Sequence, residues 1–173
     1  MSEKLLEKVS PYNILNNIVP GAIFVYLCRL LNVDFFSVDS IFESFFVYYF
    51  WGMVSSRVGS LVIEQILMGL RIVKYSQKAD YAMATKEDSL IEALLEVSNM
   101  YRTCAGVCLI IVIVKAYTTF LGELIPASIS RWITIMVLLI LFVASYCKQT
   151  QHITKRVEIA AVKKKEVTTD ENT

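Results

Sequence analysis

ITIMVLLILFVA, residues 133–144, runs without a charged side chain. Extended to Ile129 and Cys147 it carries only Arg131. That length approaches the roughly 20 mainly apolar residues a helix needs to cross a bilayer. The rest of the chain agrees: of 173 residues, 55% are hydrophobic and 19% charged, with mean hydropathy +0.54. A chain this short cannot bury so much apolar surface in one aqueous core, so much of it is expected to face lipid.

Three more spans emerge on working outward. The first covers about 14–31, with Pro20-Gly21 inside it as a place for a kink. It makes a poor signal peptide, because Glu3 and Glu7 accompany Lys4 and Lys8 at its start and Arg29 interrupts its end. The second covers about 41–70, too long for the hydrocarbon core unless it tilts or projects. The third covers about 103–121 and the fourth about 129–147. The expected fold is an all-α, four-helix transmembrane bundle over residues 1–147, followed by a basic tail at 148–173.

Basic residues set the orientation. Lys4 and Lys8 precede the first span, and Arg71, Lys74, Lys78, Lys86 and Arg102 fall in the second loop. Lys148, Lys155, Arg156 and Lys163 to Lys165 fall in the tail. The first loop carries no Lys or Arg, and the third, taken with the start of the fourth span, only Arg131. The alternation places both termini in the cytoplasm of a multi-pass protein. A reducing cytosol also suits Cys28, Cys104, Cys108 and Cys147 as unpaired packing residues.

The cytoplasmic loop, 71–102, has an amphipathic second half. Thr85 and Asp88 resemble a capping box, and Leu90, Ile91, Leu94, Leu95 and Met100 recur at helical spacing. This helix either packs on its own bundle or, with Lys155 and Arg156 of the tail, docks a partner. The tail reads as helical to about 161 and disordered after Lys163 to Lys165, a cluster read as a topology signal.

Charges inside the spans call for a reason. Glu43, Arg57, Glu64 and Arg71 lie 14, 7 and 7 residues apart, which on a continuous α-helix puts them on one face. Arg29 is the expected partner of Glu43, and Lys115 of Glu64. The stripe is either a set of buried ion pairs fixing register, a pore lining or a switch. Gly52, Ser55, Ser56, Gly59 and Ser60 form small-xxx-small pairs that allow close helix approach. An aromatic cluster from Phe35 to Trp51 reads mainly as packing, with anchoring in the outer leaflet at its start.

No phosphate loop, nucleophile elbow or zinc-protease helix is present, and the spans offer no pair of Asp residues. His152 reads as a solvated tail residue. No catalytic residue, cofactor or metal site is expected, nor direct nucleic-acid binding.

Three stretches carry a family resemblance: Ser56-Arg57-Val58-Gly59-Ser60-Leu61-Val62-Ile63-Glu64, Asn99-Met100-Tyr101-Arg102-Thr103, and the opening Tyr12 to Gly21. Together they resemble short four-helix membrane proteins of bacterial anti-phage defence loci, in particular the membrane subunits of two-gene Kiwa systems. The resemblance spans roughly the first 105 residues. It implies a homo-oligomer in the inner membrane that responds to envelope disturbance and works with a cytosolic, nucleic-acid-associated subunit. A sensor or scaffold that recruits a cytosolic partner is therefore the first expectation. An ion channel or depolarising effector lined by the second helix is the alternative, ranked second because mixed-sign charges suit pairing better than a filter.

Overall fold

The computed structural model describes residues 11–33, 40–74, 88, 90–122 and 124–170, with backbone alone at 11–14, 92, 156 and 159–170. All secondary structure among the described residues is helical. Helix α1 spans Pro11–Leu30 and α2 spans Ile41–Val58. A π-turn at Gly59–Ile63 joins α2 without a break to α3, Glu64–Gly69. Helix α4 spans Leu90–Phe120 and α5 spans Ala127–Asp170.

Among the described residues, two helices are long and apolar enough to cross a membrane, at Ala93–Phe120 and Ala127–Lys155. The apolar part of α1, Leu15–Leu30, is shorter. No residue in the most apolar window of α5 is buried. Leu139, Ile140 and Val143 are each more than half exposed, a continuous apolar surface of the kind that marks a lipid or partner contact.

The core lies between α1, α2 and α4. Phe24, Val25 and Cys28 of α1 meet Val54 of α2 and Val107, Ile110 and Ile111 of α4. Phe24 stacks on Trp51 at 4.5 Å between ring centroids, a favoured aromatic geometry. Helix α5 leans on this core through Leu138, Leu141 and Phe142, the last 6.3 Å from Phe50.

Glycines set how closely the helices approach. A Cβ on Gly21 would overlap the Tyr48 carbonyl, and one on Gly52 the Asn17 carbonyl. A Cβ on Gly106 would overlap the Ser55 carbonyl. The backbones of α1 and α4 therefore rest directly on that of α2, as small-residue packing permits. Ser55 is fully buried there and donates its hydroxyl proton to the Trp51 carbonyl at 2.7 Å.

The helix ends have local causes. Asn32 takes φ 52° after α1, and the Val33 N–H reaches back to the Cys28 carbonyl at 2.9 Å. Arg71 takes φ 57° after α3, and Ile72 reaches the Leu67 carbonyl at 3.0 Å. Both are Schellman-type ends in which the left-handed residue turns the chain out of the helix. At the start of α4 only the Asp88 half of the expected capping box falls among the described residues. Asp88 Oδ1 itself accepts the Leu90 N–H at 2.9 Å, and Thr85 lies outside the described residues.

Two expectations differ in extent. The amphipathic stretch and the third span form one continuous helix, α4, so Arg102 belongs to a helix and not to a loop. The tail likewise continues α5 to Asp170, beyond the expected onset of disorder near 165. From Lys148 onward there is no Gly or Pro to stop it, and Lys, Glu and Ala favour its continuation.

Candidate functional site

The stripe on the second helix is the natural starting point. Its 7-residue spacing presumes an unbroken α-helix, but the π-turn lies between Arg57 and Glu64. A π-turn inserts one residue, and everything beyond it rotates by roughly 100°, the angle per residue of an α-helix. Glu43, Arg57, Glu64 and Arg71 therefore do not share one face. Arg71 has already left the helix, at its left-handed exit.

Glu64 turns toward α4 and α5. Its Oε2 accepts a hydrogen bond from Arg102 Nη1 at 2.8 Å and lies 3.4 Å from Lys148 Nζ. Lys148 Nζ also donates to the Ser60 carbonyl at 2.7 Å and the Ser60 hydroxyl at 2.8 Å. The side chains are 15% exposed for Glu64, 26% for Arg102 and 23% for Lys148, so the triad is largely withdrawn from solvent. Its members come from three separate helices. It ties α3, α4 and the middle of α5 together at one end of the core.

Around the triad lies a polar cavity of about 220 Å³. Arg57 and Ser60 contribute from the second helix, Arg102 from α4, and Lys148, Gln149 and His152 from α5. Arg57 is half-buried and joins no ion pair among the described residues. Arg102 Nε is buried without a hydrogen-bond partner. Three cations face one carboxylate, so the cavity carries a formal excess of two positive charges with His152 counted neutral. Such an arrangement can hold an anion. No group of three or more His, Cys, Asp or Glu suited to a metal occurs among the described residues.

The other singled-out charges lie elsewhere. Lys115 does not meet Glu64; its Nζ donates to the Leu31 carbonyl at 3.2 Å, at the C-terminal end of α1. A cation there complements the exposed carbonyls of a helix end. Arg29 and Glu43 are both exposed and no ion pair joins them.

The small residues divide by depth. Gly52, Ser55 and Gly59 are buried against neighbouring helices of the same chain, while Ser56 and Ser60 are half-buried. Of the docking candidates, Leu90 and Leu94 are exposed at 67% and 68%, Ile91 and Leu95 are half-buried, and Lys155 is exposed. Arg156 lies in the helical backbone of α5.

Reading the sequence missed the partners that matter most. By position in the sequence Arg102 and Lys148 read as topology-setting cations and His152 as solvated, yet all three line the cavity. A signal was present: Ser145, Lys148, Gln149 and His152 recur at i, i+3, i+4 and i+7, one polar helix face. Gly21 and Gly106 also went unremarked as packing residues. Comparison with protein families, with curated proteins and with solved structures finds no match for this chain.

Proposed function

We propose that the chain is a multi-pass inner-membrane protein with four spans, both termini cytoplasmic, that works as a sensor or scaffold. In this reading it oligomerises through its lipid-facing surfaces and recruits a cytosolic protein. The observation that carries it is the form of α5. Forty-four residues in one helix reach about 66 Å, against about 30 Å for the hydrocarbon core. The part from Lys148 to Asp170 extends roughly 35 Å, far more than a membrane anchor needs.

The hairpin of α4 and α5 adds to this. Arg102 and Lys148, on either side of the short connection between Phe120 and Ala127, both reach Glu64, so the helices run antiparallel and Leu90 and Asp170 lie toward the same end. The exposed Leu90 and Leu94 and the basic stretch with Lys155 and Arg156 would then face the same compartment. That is what a docking surface for a soluble partner requires. The defence setting, with a nucleic-acid-associated partner, rests on the resemblance to Kiwa membrane subunits.

The pore stays the second reading. A lumen lined by the second helix needs its charges free to face water, whereas Glu64 is neutralised by Arg102 and Lys148 of its own chain.

The test is affinity purification of the tagged protein from its native host in mild detergent, with mass spectrometry and mass photometry. A stoichiometric soluble partner, lost when Leu90 and Leu94 are changed to Glu or when the chain stops at Lys155, supports the scaffold. A stable oligomer without a partner, or full activity in the truncated chain, overturns it.

A further inference from the structure

The cavity at the triad has no role in the docking surface, and its chemistry points in another direction. We infer that it binds a phosphate group. Three cations converge on it from three helices: Arg57, Arg102 and Lys148. One carboxylate, Glu64, balances only one of them. Withdrawn from water, an excess of two positive charges is costly unless an anion completes it.

The details favour phosphate over a lone halide. Two of the three cations are arginines, whose planar fork matches an oxyanion with several acceptor atoms. Arg57 brings its guanidinium free of any ion pair among the described residues. About 220 Å³ is well beyond the ~10–15 Å³ that one water requires. The site is also built on a π-turn, a distortion that recurs at functional positions. Ser60 lies in that turn and holds Lys148 at the cavity through two hydrogen bonds.

Two sources present this chemistry: the headgroup of an anionic phospholipid, and free phosphate in the cytosol. The headgroup source uses the proposed membrane placement, in which Lys148 follows directly on the apolar run of α5; free phosphate does not. Bound phosphate would take up the positive charge that Glu64 leaves unbalanced and so tighten the junction of α3, α4 and α5.

The experiment uses the full chain in phosphatidylcholine nanodiscs, with unfolding followed by the fluorescence of Trp51 and Trp132. One arm adds inorganic phosphate against sodium chloride at equal ionic strength. The other replaces part of the phosphatidylcholine with phosphatidylglycerol. The expected result is an unfolding temperature raised by a few degrees in at least one arm. The rise is lost in Arg57→Gln and retained in Arg57→Lys. A response to phosphate alone assigns a soluble source, and a response to phosphatidylglycerol, with or without phosphate, assigns the headgroup. No rise in either arm, an equal rise with chloride, or an equal rise in Arg57→Gln overturns the inference. Should Arg57→Gln fail to fold, radiolabelled phosphate retained by the wild-type protein in dialysis, and competed by unlabelled phosphate but not by chloride, decides the soluble arm. Phosphatidylglycerol retained in native mass spectra decides the other. No partner protein takes part, so failure here leaves the scaffold reading standing, and the reverse holds too.

Discussion

Glu64 concentrates the chemistry of the chain in one side chain. It holds Arg102 and Lys148 at an exposure of 15%, between the regime of surface pairs, worth 0–1 kcal/mol, and that of fully buried ones, where losing a partner costs about 3–5 kcal/mol. Glu64→Ala is expected to destabilise the protein by about 2 kcal/mol, read as a lower unfolding temperature in detergent. Lys148→Met should cost less, because Arg102 still satisfies the carboxylate. Gly52 makes the second residue-scale case. Any Cβ there meets the Asn17 carbonyl, so Gly52→Val must push α1 off α2 and is expected to cost more than about 2 kcal/mol. Gly69→Ala, with open space around it, should be neutral and serves as the control. The small residues of the second helix were legible in the sequence as a packing surface. What each one packs against was not, because spacing along one helix says nothing about its neighbours.

At the scale of elements, the π-turn decides which charges meet. Deleting Val62, which is exposed, removes the extra residue and turns Glu64 by roughly 100°. A double-mutant cycle on Glu64 and Arg102 should give about 1–3 kcal/mol of coupling in the wild type and near zero in the deletion. Unchanged coupling would show that the turn does not aim Glu64. The heptad argument from sequence failed at this element for a definite reason. A spacing of 7 implies a shared face only while every intervening residue is α-helical, and nothing in GSLVI announces the departure. Helix α5 offers a separate check. Spin labels at Cys147 and Lys165, on a background without other reactive thiols, should lie about 27 Å apart if the helix is unbroken. A broad distribution of distances would restore the disordered tail that composition suggested.

For the whole molecule, the proposed arrangement makes a topological statement. A membrane-impermeant thiol reagent applied to intact cells should label a cysteine placed at Ser40 and spare one placed at Thr154. Permeabilised cells should label both. Labelling of Thr154 from outside, or protection of both sites, would overturn the four-span arrangement with cytoplasmic termini. The expectation rests on the alternation of Lys and Arg between loops, which acts during insertion and needs no tertiary contact.

Helical character, the approximate position of each helix and the apolar surface of α5 were all determined by the sequence alone. Each depends on residues close together in the chain: an apolar run of sufficient length, a charge pattern, and the absence of Gly or Pro that would stop a helix. Tertiary structure alone decided the partners. Glu64 meets Arg102 and Lys148, 38 and 84 residues away, while Lys115 caps α1 at the other end. Periodicity fixes a residue's angle on its own helix, but a partner on another helix depends on how those helices are rotated and set in depth. Here glycine contacts and one π-turn set both.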